Sequence, residues 1–202
     1  MRRSRTEAAL TRGRIIEAAS RLFRDRGIAS VSIADITSSL GLTDGGFYRH
    51  FASKEALVVE ALDAASRETT GANMEQVRHL RGMERASALI DGYLSDFHRT
   101  NPAMGCPVAA LCSEMRHESA ETRAAFTAAM QRLLSVVDSV LPASLGERRS
   151  VQLRSAAEIV GAVVLARATD DKALAGEILD VVRHGTKAAL AGALGDSSTG
   201  SR

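Results

Sequence analysis

Proline, cysteine and aromatic side chains are scarce: the 202 residues include three Pro, two Cys, five Phe, two Tyr and no Trp. With so little proline, few positions force a helix to break. Cys106 and Cys112 stand six residues apart, which on a helix turns them about 240° from each other and argues against an internal disulfide. Neither belongs to a CxxC or Cys/His spacing, so no zinc site is expected. A nucleophile elbow and a phosphate loop are also missing; catalysis is therefore not expected, nor any metal or cofactor. The longest apolar run, Ile159–Ala166, contains Gly161 and falls far below the ~18 residues of a membrane span. No apolar run follows Arg2 and Arg3, so no signal peptide is expected, and the expectation is a soluble, cytoplasmic protein.

The chain is long enough to bury a core without disulfides, and 45% of it is hydrophobic against 25% charged. The net charge of +2 conceals an asymmetry. Residues 1–54 carry ten Lys and Arg against five Asp and Glu, and residues 55–202 carry sixteen against nineteen, giving +5 and −3. A basic N-terminal quarter fits either a polyanion partner or a solvated charged face.

Periodicity is helical throughout, with no strand-like alternation, so the fold class is all-α. Ile15, Ala18, Ala19, Leu22 and Phe23 make one apolar face, and Gly27 stops that helix. Ser32 offers an N-cap with Asp35 three residues on, opening a short second helix with Ile33, Ile36 and Leu40 inward and Gly41 at its end. Thr43 caps a third helix of under three turns, carrying Phe47 and Phe51 at i, i+4. Two short helices joined by Gly41-Leu42-Thr43 make a helix-turn-helix connection. Ser53 caps a fourth helix expected to run to about Thr70, followed by a polar linker over 71–84. Further helices are expected at about 86–99, with Leu89, Tyr93, Leu94 and Phe97 inward, and at 107–115, 121–140, 149–169 and 172–194. The tail 195–202 reads as disordered. These boundaries divide the chain into a helix-turn-helix domain over 1–54 and a larger helical domain over 55–194, to which the family resemblance given below assigns effector binding and dimerisation.

The stretch "TDGGFYRHFASK" (43–54) carries the most chemistry. Each glycine in a helix costs roughly 0.8–1 kcal/mol relative to alanine. A recognition helix enters the major groove by its N-terminal end, where Gly45 and Gly46 leave the backbone bare beside base edges. Tyr48 and His50 can donate to phosphates, and Arg49 adds charge. Lys54 stands in the first turn of a helix, against the dipole, as expected if a phosphate lies there. Thr43 and Ser32 can cap and still reach phosphate oxygens. The i, i+4 spacing of Phe47 and Phe51 assigns both to the core.

The segment "VSIADITSSLGLTDGGFYRHFASKEAL" (31–57) resembles the DNA-binding signature of TetR-type transcriptional regulators. The resemblance implies a homodimer whose N-terminal domains each read half of a palindromic operator, with Thr43, Tyr48, His50 and Lys54 on phosphates and Asp44, Gly45 and Gly46 nearest the bases. Asp44 departs from the usual Lys or polar residue. An acid there either accepts from cytosine or strengthens the helix start, and the second reading is preferred.

By resemblance, the middle helices enclose a ligand pocket and the last two pack against their dimer mates. Candidate pocket residues are Tyr93, Phe97, Met104, Cys106, Cys112, Met115, Phe126, Met130 and Leu134, each of which also reads as ordinary core. A small apolar effector fits this set. The small-residue stripe Ala157, Gly161, Val164 and Ala168, continued by Ile178, Val181, Val182, Gly185 and Leu190, faces either a dimer mate or the protomer's own core. "GCPVAAL" (105–111) resembles a segment of one branch of the family. Cys106 beside a helix start is either a thiol sensor or a buried inert cysteine. The leading function is a repressor released when an effector tilts the fourth helix and changes the spacing of the recognition helices, about 34–36 Å in a dimer reading successive turns. The alternative is a redox or electrophile sensor acting through Cys106.

Overall fold

The computed structural model describes residues 5–141, 145 and 147–196. Those residues form ten α-helices and two 3-10 turns, with no strand among them. None of the helices is long and apolar enough to cross a membrane. The expected tail lies outside the described residues from 197 onward; residues 195 and 196 close the last helix.

The chain divides into two compact units. The first comprises the described residues of 1–68 together with 102–129. It opens with α1 (Arg5–Arg26), ended by Gly27 at φ +85°, a left-handed conformation that suits glycine. α2 (Ile33–Ser39) starts with a complete capping box: the Asp35 amide donates to Ser32 Oγ at 3.1 Å, and the Ser32 amide to Asp35 Oδ2 at 2.7 Å. The Ser32 hydroxyl bond, helped by that amide, holds the Asp35 carboxyl below its ordinary range. Gly41, at φ +65°, makes the turn to α3 (Asp44–Phe47). α3 is a single turn, shorter than the sequence suggests: Tyr48–His50 continue as a turn in which the His50 and Phe51 amides both donate to the Phe47 carbonyl. Phe51 lies beyond it, stacked on Phe47 at 5.5 Å between ring centroids.

α4 (Lys54–Gln76) begins with the Ala56 amide on Ser53 Oγ and continues past Thr70. Gly71 is tolerated within it, so the expected linker shrinks to 77–81. The first unit also contains the 3-10 turn Pro102–Met104, α7 (Pro107–Leu111) and the 3-10 turn Met115–His117. α7 is the expected 107–115 helix cut short at Leu111. Leu111 and Met115 are buried in one cluster with Ile15, Phe23, Ile36, Phe47 and Leu57.

The second unit comprises 69–101 and the described residues of 130–202. The helix expected over 86–99 is two helices, α5 (Gly82–Tyr93) and α6 (Asp96–Thr100). Ser95 causes the break: its hydroxyl donates to the Gly92 carbonyl and accepts the His98 amide, closing one helix and capping the next. The break turns Phe97 outward, 65% exposed, correcting its expected inward position. α8 (Ala120–Asp138) contributes its last turns to this unit, and α9 (Arg148–Ala168) packs along α10 (Lys172–Asp196).

Candidate nucleic-acid interface and effector cavity

The helix-turn-helix presents one face of exposed polar groups. Thr43 caps α3, accepting the Gly46 amide on Oγ1 at 3.3 Å. Asp44 Oδ1 accepts from Thr37 Oγ1 at 2.8 Å, tying α3 to α2. This gives Asp44 a structural partner and agrees with the preferred reading, a stronger helix start. Ser32, Thr43, Asp44, Gly45, Tyr48 and Arg49 are exposed, and Gly46 and His50 half-buried. Tyr48 meets Phe47 edge-on at 5.2 Å, its ring 61% exposed while Phe47 is fully buried. Burial thus separates the two aromatic roles that the sequence places side by side.

The glycines have no internal reason to be glycine. Neither has positive φ, a Cβ added at Gly45 would meet nothing within 4 Å, and one at Gly46 would meet only Thr43 Oγ1 at 3.6 Å. Lys54 has a partner inside the chain. Its ammonium donates to the Ile28 carbonyl at 2.5 Å and lies 5.9 Å from the centre of the Phe23 ring. A cation in the first turn of α4 therefore has an acceptor within its own chain, and the dipole argument no longer requires a phosphate there.

Within the second unit lies a cavity with about 50 Å³ open to the centres of water-sized spheres, room for several waters. Asn73, Tyr93, Ser155 and Thr186 supply polar atoms to its lining; the remaining described wall is aliphatic, including Leu133, Val137, Ile159 and Leu190. No ionisable acid, base or imidazole lines it among the described residues. Beside it, His98 Nδ1–H donates to the Tyr93 carbonyl at 2.6 Å, which fixes the neutral tautomer. Burial is the main cause that pushes the His98 imidazole down to about 4; the Tyr93 carbonyl opposes it and Arg167 adds to it.

A family model described as bacterial regulatory proteins, tetR family, matches residues 15–61, from the middle of α1 into α4. The regulator TtgR of Pseudomonas putida is 47% identical over 64 residues, 32% of this chain and 30% of that protein. The repressor KstR2 of Mycobacterium tuberculosis is 41% identical over 51 residues, 25% of this chain and 26% of that protein. A TetR regulator structure from Chloroflexus aurantiacus superposes with a TM-score of 0.72 at 25% identity, covering 91% of this chain and 95% of that one. Residues 15–61 carry a tetR-family region. The chain spans under a third of the length of these two curated relatives, so what the family shares at residue level here is the reading head.

Only Tyr93, of the nine expected pocket residues, lines the cavity. Phe97, Met104 and Met130 are 65%, 47% and 39% exposed, and Cys112 is exposed as well. Met115 is buried in the core of the first unit, with Phe126 packed against that core. Leu134 clusters instead with Val137 and Ala156. Cys106 is buried at the start of α7, which withholds its thiol from solvent. The sequence expectation omits Asn73 of α4, Ala86, Leu89 and Ile90 of α5, Leu133, Val136, Val137 and Val140 of α8 and just beyond, and Ser155, Ile159 and Thr186 of α9 and α10; the 3–4-residue spacing of the apolar ones is the available signal, but it reads equally as core. Of the expected dimer stripe, Ala157, Ala168, Val181 and Gly185 are exposed, and Gly161, Val164, Ile178 and Val182 half-buried. Leu190, assigned to the same stripe, is only 2% exposed and faces the cavity.

Proposed function

We propose that this chain is a ligand-responsive transcriptional repressor that binds a palindromic operator as a homodimer and leaves it when a small, uncharged, mainly apolar effector enters the cavity of the second unit. The observation that carries the DNA-binding reading is the pair Gly45 and Gly46, which no packing or φ requirement inside the chain explains. Bare backbone at the start of a recognition helix admits base edges; Tyr48, Arg49, His50, Thr43 and Ser32 then serve the flanking phosphates. The +5 charge of residues 1–54 supports the same partner.

In this reading, residues 1–54 carry the DNA contacts and 55–194 the effector and dimer functions. The exposed Leu153, Leu165, Leu174 and Val181 of α9 and α10, 44–65% accessible in the single chain, give a mate an apolar face to cover. An uncharged effector follows from the lining, because a bound ion would lie buried with no opposite charge beside it. α4 supplies a physical route for the signal: it opens with Lys54 in the first unit and carries Asn73, a cavity residue, near its last turn. A thiol switch is the weaker reading, since Cys106 is buried.

The test substitutes each glycine. Gly45→Ala and Gly46→Ala are expected to weaken binding to duplex DNA from the protein's own upstream region by about tenfold or more, a loss of roughly 1.4 kcal/mol. Each is also expected to leave stability unchanged or raise it by about 0.5–1 kcal/mol. Unchanged DNA affinity in both variants would remove the basis of the proposal.

A further inference from the structure

The turn between α1 and α2 is gripped from two sides. The amides of Ile28 and Ala29 both donate to Oε2 of Glu114, at 2.8 and 3.3 Å. The carbonyl of the same Ile28 accepts from Lys54 Nζ at 2.5 Å. A carboxylate thus holds the N–H side of one short segment and an ammonium holds its C=O side, and hydrogen bonds to ionised groups are about twice as strong as neutral ones. Gly27 belongs to the arrangement: φ +85° favours glycine, and a Cβ there would lie 2.6 Å from Glu114 Oε1 and push the carboxylate from its place.

The gripping residues are far apart in sequence. Lys54 opens α4, and Glu114 stands between α7 and the 3-10 turn that follows it. Leu111 and Met115, on either side of Glu114, are buried in the cluster that contains Phe23, Ile28, Ile36 and Phe47. The Glu114 backbone is therefore fixed by packing, and its side chain delivers that rigidity to the turn. Three residues after Ala29, Ser32 begins the capping box of α2, so the turn sets the entry angle of the whole helix-turn-helix.

We propose that Glu114 and Lys54 are positioning residues for DNA recognition, acting together through the Ile28–Ala29 segment, and that Lys54 serves the Ile28 carbonyl rather than a phosphate. The proposal rests on the DNA-binding reading above. It makes the 102–129 segment a working part of the reading head.

The test uses the full chain with Glu114→Ala, Glu114→Gln, Lys54→Met and the Glu114→Ala/Lys54→Met pair. The first readout needs no DNA. Amide exchange at Ile28 and Ala29 should quicken about tenfold or more in Glu114→Ala at unchanged helical content, and Glu114→Gln should restore most of the protection, because its amide oxygen still accepts N–H. Unchanged exchange in Glu114→Ala overturns the grip.

The second readout is affinity, across a salt series, for a duplex that the wild-type protein selects from a random-sequence pool. Glu114→Ala and Lys54→Met should each weaken binding about tenfold with the wild-type salt slope, and the pair should fall little further than either alone. A lost phosphate contact would instead lower the slope by about 0.9 and add independently to the Glu114 effect; that outcome overturns the assignment of Lys54. If the wild type selects no duplex, the DNA-binding reading fails and the recognition role with it, while the exchange measurement still decides the grip. Should Glu114→Ala fail to fold, Lys54→Met alone separates the two slopes.

Discussion

The two units are held together by different means. The first has one continuous apolar cluster in which Ile15, Ile36, Phe47 and Leu57 are fully buried and Phe23 and Leu62 are 2% exposed. The second buries Leu94, Val163 and Ala166 completely and Val77, Leu179 and Leu190 almost so, but it also contains a cavity and long side chains that tie helix ends to other elements. Arg148 donates to Asp138 Oδ1 and to the Leu141 carbonyl, both at 2.7 Å, and its bond to Asp138 holds that carboxyl below the ordinary range. Arg167 donates to the carbonyls of His98 and Arg99, Arg183 to that of Leu94, and Lys187 to Asp91. Interlocked large side chains suit an element that must present groups to DNA in one geometry. The cavity leaves part of the second unit without such interlocking, and local openings there cost less buried apolar contact.

The largest expected effect breaks this contrast at its centre. Phe47 is fully buried, stacked on Phe51 and edge-on to Tyr48. Phe47→Ala should cost about 3–5 kcal/mol. Val137→Ala, which enlarges an existing cavity, should cost only roughly 1.5 kcal/mol. Denaturant unfolding measures both losses, and a Val137→Ala loss well above that figure would mean that the wall of the cavity is packed as tightly as the first unit's core.

The same contrast explains what the sequence made legible. Ile15 through Phe23, the Ser32–Asp35 box, the Gly41 turn and the Thr43 cap are local signals, and each recurs in the structure where the spacing puts it. The errors lie where structure depends on partners distant in sequence. Nothing local reveals that Lys54 finds a carbonyl 26 positions earlier; Ser95 is the exception, a local cap whose partners Gly92 and His98 each lie three residues away and which competes with a continuous apolar periodicity. The cavity residues were illegible for a related reason: Val136, Val137 and Val140 have the same periodicity whether they meet a neighbour or an empty space. Glu114 gave no signal at all, being one acid in a short irregular stretch.

An intermediate effect tests the second unit through pH. His98 titrates at about 4 in the folded chain against an ordinary 6.5, mainly through burial. The unfolded chain therefore takes up this proton first as pH falls. Stability from this group is complete above 6.5, declines through the window below it and levels off near 4, a total of about 3 kcal/mol. Urea unfolding between those limits, in wild type and His98→Gln, should show a pH-dependent term that the variant lacks. Identical profiles would leave His98 without that role.

The smallest effect concerns the caps of the two helices of the helix-turn-helix. α2 is closed by a reciprocal box, so losing one bond leaves the other; α3 has the single Thr43 side-chain bond and the Asp44–Thr37 tie. Thr43→Ala should cost about 1 kcal/mol, typical of a lost N-cap. Because α3 is one turn long, the loss should appear as faster exchange of the Gly46 amide more than as a lower global midpoint. Thr43→Ser keeps the oxygen and should restore protection at Gly46. If serine fails to restore it, the threonine methyl rather than the hydroxyl fixes the start of α3, and the rigidity of this end of the reading head comes from packing alone.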